Sequence, residues 1–172
     1  MSSDEVFSDV LQANEAHAAQ FKLAALEGNA AKGLAVLTCM DSRIDPLGML
    51  GLKPGDAKIL RNAGGRVTDD VLRTLVLAVY LLNVERIMVV QHTRCKMASG
   101  DEDDVRAAIS EAGGPDTRSL SFLTTQDQEG AIRADVQRVQ SWTGVDKLEK
   151  GDRWTVAELA GRAGELNART RS

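Results

Sequence analysis

The chain has 172 residues, 43% of them hydrophobic, and carries a net charge of -4 with a pI near 5.2. That length suits one domain, residues 1–172, able to bury about two thirds of its unfolded surface without disulfide support. The acidic balance, the lack of a basic patch and a total of two tryptophans, one tyrosine and three phenylalanines argue against a nucleic-acid partner, which needs cationic surface and aromatic platforms.

The N-terminus, Met1-Ser2-Ser3-Asp4-Glu5-Val6, lacks the positive start and apolar core of a secretory signal. A cytoplasmic location with reduced cysteines is therefore expected. The long uncharged stretch that includes residues 74–83 is far short of the ~20 apolar residues that span a bilayer, so no membrane association is expected.

Phe7, Val10, Leu11, Ala18, Phe21 and Ala25 recur at three- and four-residue steps and predict an amphipathic N-terminal helical arm within residues 1–28, its apolar face covering something. His17 falls on this Ala-rich helix without a companion ligand and reads as a surface or packing residue. Residues 34–38 form a continuous apolar run, as in a strand buried on both faces of a parallel sheet. Asp45 and Pro46 open a short helix through Leu50. Residues 53–56 make a turn, and residues 57–61 form a second strand. Thr68 caps a helix over residues 69–83 whose nearly all-round apolar character predicts almost complete burial. Residues 86–91 form a third strand. Helices follow around residues 101–111 and around Ile132, Val136 and Val139, with a break at Gly113-Gly114-Pro115. Beyond Gly144 the pattern weakens. The whole predicts an α/β fold: a doubly wound, mostly parallel central sheet flanked by helices, with an N-terminal helix extension.

The two cysteines of the chain, Cys39 and Cys95, each follow an apolar strand-like run, in Cys39-Met40-Asp41-Ser42-Arg43 and His92-Thr93-Arg94-Cys95. Two thiolates and one imidazole suit Zn²⁺, and three firm donors with one open position are what a catalytic zinc requires. Residues 34–97 thus form the candidate zinc-site core. In an extended segment, Cys39, Asp41 and Arg43 would point the same way. Paired with Arg43, the Asp41 carboxylate can orient a metal-activated water; released from it, Asp41 can itself bind the metal. The plainer alternative is a turn-stabilising ion pair.

Cys39-Met40-Asp41-Ser42-Arg43 with Asp45-Pro46, then Arg61-Asn62-Ala63-Gly64-Gly65, then His92-Thr93-x-Cys95, in this order and spacing, resemble the β-class carbonic anhydrases, most strongly over residues 34–97. The resemblance implies Zn²⁺ held by Cys39, His92 and Cys95, with Asp41 as the further metal-binding candidate and a catalytic pair at Asp41 and Arg43. It implies a substrate site lined by Asn62, Ala63, Gly64 and Gly65, and the reversible hydration of carbon dioxide to bicarbonate and a proton by zinc-bound hydroxide. A homodimer or dimer of dimers is implied as well, as is a C-terminal hydrophobic strand that residues 154–167 match loosely. Arg94 and Lys96 depart from the family pattern, which commonly has a small or acidic residue and a glycine there. Their charges either act on the metal site or face solvent, and Lys96 is expected to strain a backbone suited to glycine. Two rivals share the site: a carbonyl sulfide or carbon disulfide hydrolase, and a catalytically silent zinc-binding paralogue.

Overall fold

The computed structural model describes residues 3–142 and 156–158. Four parallel strands make the sheet: β1 (Leu34–Cys39), β2 (Ala57–Asn62), β3 (Arg86–Val90) and β4 (Val156–Glu158), in the order β2-β1-β3-β4. The chain steps outward from β1 to β2, then crosses back to β3 on the other side of β1. The carboxyl ends of β1 and β3 therefore flank the point where the winding reverses, the usual place for a ligand in an open α/β sheet. β4 supplies the implied C-terminal strand, pairing Ile87 with Val156 and Val89 with Glu158. The rest of residues 154–167 lies outside the described residues.

Every residue of β1 is buried, as its unbroken apolar run predicts. Ala35 and Leu37 face one core with Ile87 and Val89 of β3. That core is covered by α3 (Asp69–Leu81) through Val71, Leu72, Leu75 and Ala78, and by α5 (Gln128–Gln140) through Ile132, Val136 and Val139. Leu34 and Val36 face the opposite side, where Met49, Leu50 and Leu52 pack beside a short 3-10 turn, Gly48–Leu50. The expected helix over residues 45–50 is thus this 3-10 turn, preceded by an Asp45 carboxylate that accepts from the Leu47 N–H. α4 (Glu102–Glu111) begins with a reciprocal capping box between Asp101 and Asp104.

Two expectations are corrected. The N-terminal arm forms α1 (Ser3–Val6) and α2 (Ser8–Ala19), and α2 ends at Ala19 instead of running toward Gly28. Past that point the chain is recruited by the body of the protein. Leu26 packs over Gly55, the Lys58 ammonium donates to the Gly28 carbonyl, and the Ala30 N–H donates to the Leu82 carbonyl. α2 buries none of its residues, so its apolar face covers nothing among the described residues, and His17 lies exposed beside Phe21. α3, in turn, is not wholly buried. One stripe enters the core, while Leu77, Tyr80 and Leu81 are 43%, 47% and 68% exposed. Thr68 caps α3 through the Val71 N–H, with Asp69 and Asp70 in its first turn.

Candidate metal centre

β1 delivers Cys39 at its last position, and the loop after β3 delivers His92 and Cys95. All three are buried, and one donor atom from each lies within 4.8 Å of the others. The two sulfurs are 3.9 Å apart. A tetrahedral metal with thiolate bonds of about 2.3 Å places its sulfurs at about this separation. The ring of His92 is preset as a ligand. Its Nδ1 lies 3.0 Å from the Thr93 carbonyl, which can only accept, so Nδ1 carries the proton and Nε2 keeps its lone pair. That buried Nε2 has no hydrogen-bond partner among the described residues. Burial pushes the Cys95 thiol up, with the neighbouring Cys39 adding to the effect. Keeping two buried thiolates this close together calls for a cation between them.

Asp41 stands outside this donor triad. Its Oδ2 lies 3.7 Å from His92 Nε2, while both its oxygens are held by Arg43: Nε donates to Oδ1 at 2.9 Å and a terminal nitrogen to Oδ2 at 2.6 Å. The Arg43 backbone N–H also donates to Oδ1 at 2.9 Å. The segment is therefore an Asx turn, not the extended stretch expected, because the carboxylate draws the backbone two residues on toward itself. The Arg43 side chain beside Asp41 holds its carboxyl far below the usual carboxylate range, so it is an anion at any working pH. Arg43 also donates to the Arg94 carbonyl at 3.3 Å, linking the two halves of the site.

Asn62 accepts from the Arg66 N–H and donates to the Arg66 carbonyl, closing the turn over Ala63, Gly64 and Gly65. Gly65 has φ +63°, and a Cβ there would lie 3.1 Å from backbone atoms of Thr38, Cys39 and Val90. This turn packs against the two strand ends that carry the donors, which is why it needs glycine. Lys96 is not in the left-handed region; the residue that is, at φ 56°, is Arg94. The backbone strain expected at position 96 thus falls two residues earlier and costs about 1–2 kcal/mol. Both side chains are exposed.

Two further residues support the site: Arg61, which the sequence places in a motif without a role, and Gln128, which nothing in the sequence marks. Arg61 donates from Nε to the Cys39 carbonyl at 3.0 Å and from a terminal nitrogen to the Asp41 carbonyl at 2.7 Å. Gln128, at the start of α5, donates to the His92 carbonyl at 3.0 Å. Strand register could have suggested the first, since Arg61 pairs with Thr38. No local signal marks the second.

Fold and cluster define a class of protein: a parallel α/β sheet that gathers a Cys-His-Cys donor set beside an arginine-clamped carboxylate at its switch point. A sequence model described as carbonic anhydrase matches residues 34–146. Beta-carbonic anhydrase 1 of Mycobacterium tuberculosis is 40% identical over 109 residues, 63% of this chain and 66% of that protein. A protein named carbon disulfide hydrolase from Acidithiobacillus thiooxidans is 36% identical over 115 residues, 63% of this chain and 52% of its own length. The chain thus spans less than two thirds of the length of either relative. The crystal structure of carbonic anhydrase from Streptococcus mutans has the same fold, with a TM-score of 0.78 and 32% identity over 91% of this chain and 92% of that one. On this evidence the chain belongs to the β-carbonic anhydrase family.

Proposed function

We propose that this chain catalyses the reversible hydration of carbon dioxide, CO₂ + H₂O giving HCO₃⁻ + H⁺, with Zn²⁺ held by Cys39, His92 and Cys95. The observation that carries the reading is three buried donors within 4.8 Å, with a carboxylate oxygen 3.7 Å from the imidazole nitrogen. When bound, the ion supplies a Lewis acid that makes water nucleophilic near neutral pH. The protein does the remainder. Thr93 fixes the His92 tautomer, and burial of both sulfurs keeps solvent from competing for them. Asp41, held as an anion by Arg43, accepts a hydrogen bond from the attacking water and aims its lone pair at the substrate carbon. Arg43 limits how far Asp41 can move toward the donors. Asn62, Ala63, Gly64 and Gly65 wall the site beside the strand ends.

A second reading, hydrolysis of carbon disulfide or carbonyl sulfide, draws support from the relative named carbon disulfide hydrolase, because both molecules are linear analogues of CO₂. Stopped-flow CO₂ hydration from pH 7 to 9, with metal content measured on the same preparation, tests the first reading. A rate that rises with pH supports it. A zinc-loaded chain that leaves CO₂ unhydrated but releases sulfide from carbon disulfide would replace it with the second, and one inactive on both would make it a silent zinc protein.

The same reading places the chain in a homodimer or dimer of dimers. Support comes from α2, which has no buried residue among the described residues although a 12-residue helix is marginal alone in water. The exposed Leu77, Tyr80 and Leu81 of α3 offer further apolar surface. Sedimentation of the intact chain and of Phe7→Asp checks it, with dissociation expected in the variant.

A further inference from the structure

The geometry points to Arg61 as a positioning residue for the reaction proposed above, a role that rests on that function. Its guanidinium grips the main-chain carbonyls on either side of Met40 and so sets where the Asp41 carboxylate stands relative to Cys39, His92 and Cys95.

The need for such a grip follows from where the sheet ends. β1 and β2 pair through Cys39 and Asn62, and the Met40 N–H still donates to the Asn62 carbonyl at 2.9 Å. Beyond Met40 the ladder stops, and the chain turns away into the Asx turn at Asp41. Arg61 takes over at that point. It springs from β2 opposite Thr38 and reaches across to the Cys39 carbonyl at 3.0 Å and the Asp41 carbonyl at 2.7 Å. One planar fork thereby fixes the first residue of the donor set and the carboxylate residue together, with a rigid spacing between donors that lysine, whose N–H groups share one nitrogen on a flexible stem, does not reproduce.

The opposite flank of the segment is tied by Arg43, which donates to the Arg94 carbonyl at 3.3 Å. With its main chain held from both sides, Asp41 can exchange partners only by rotating its own side-chain torsions. Loosening Arg61 lets the whole turn drift, and the carboxylate with it. Arg61 is exposed and contributes no core burial, so its removal leaves the sheet standing.

Arg61→Ala and Arg61→Lys, prepared as the full chain in zinc-loaded and cobalt(II)-loaded forms, test the assignment. Cobalt absorption reports ligand geometry without any turnover. In Arg61→Ala, metal stays bound, and the cobalt d–d bands shift because the Cys39 main chain, released together with that of Asp41, repositions its thiolate. The kcat for CO₂ falls about tenfold to a hundredfold, the loss typical of a small misplacement of a reacting group, with KM nearly unchanged. Added guanidinium ion restores part of the rate in Arg61→Ala and none in wild type, and Arg61→Lys falls between the two. A cobalt spectrum identical to wild type together with an undiminished kcat in Arg61→Ala would overturn the assignment. Should Arg61→Ala fail to fold, Arg61→Lys decides, because wild-type spectrum and rate in that variant would equally overturn it. If the wild-type chain does not hydrate CO₂, the proposed function falls, while the cobalt comparison still decides whether Arg61 sets the geometry.

Discussion

Replacing Gly65 by alanine should destabilise the protein and loosen the metal site together. Gly65 sits at φ +63°, where a Cβ costs about 1–2 kcal/mol. The added carbon would also lie 3.1 Å from the Cys39 nitrogen, the Thr38 carbonyl carbon and the Val90 oxygen. All three are backbone atoms at the carboxyl ends of β1 and β3, held by the parallel ladder that pairs Thr38 with Val90, so none can yield as a flexible side chain would. Overpacking of this kind costs about 1–3 kcal/mol more, for a total of about 2–5 kcal/mol. Gly51 provides the control: its φ is also +63°, but nothing lies within 4 Å of its would-be Cβ. Gly51→Ala should therefore lose only the conformational part. Urea unfolding of the zinc-loaded chain, followed by far-UV circular dichroism, measures both. The larger loss should come with weaker zinc retention against a chelator, since the strand ends forced apart are those that deliver Cys39 and lead into His92. Equal destabilisation by the two substitutions would refute the contact argument.

Cys39→Ser, His92→Ala and Cys95→Ser should each purify with little zinc by elemental analysis, whereas Asp41→Asn should retain zinc and lose most CO₂ hydration. The Asp41 carboxyl, lowered in the fold chiefly by its hydrogen bonds to Arg43, makes a signed pH prediction: its stabilising contribution is complete above the unfolded value of 3.8 and declines as pH falls below that toward the folded value. The difference in urea midpoint between wild type and Asp41→Asn should accordingly be constant from pH 8 to about 5 and shrink below about pH 4. Asp135→Ala should cost about 3–5 kcal/mol in the same unfolding assay, because it strands the Arg66 guanidinium in a mostly buried pair now closed at 2.6 Å.

The donor set was legible because its signals are local. Cys39 closes one apolar run and the His92-Thr93-Arg94-Cys95 segment follows another, and a run of that length between turn residues is a buried strand whose carboxyl end opens on the site. The same locality explains what escaped. Arg61 acquires its role only when β2 pairs with β1 in one particular register, and Gln128 reaches His92 only once α5 has docked on the sheet. For α2, Phe21 and Ala25 keep the helical period, yet the periodicity cannot show that Leu26 and Gly28 are claimed by β2 and its preceding turn. The failure at α3 is of another kind. An all-round apolar helix signals burial on every side, but the sheet supplies a surface for only one stripe, and Leu77, Tyr80 and Leu81 stay exposed. Taken with the exposed face of α2, that mismatch between sequence hydrophobicity and burial among the described residues is the physical basis for expecting assembly: apolar residues of about this size each gain roughly 1.5–3 kcal/mol on full burial, a gain these exposed side chains leave unrealised. Were the chain to sediment as a monomer at micromolar concentration, those residues would need another partner, and the proposed dimer would fall without touching the metal site.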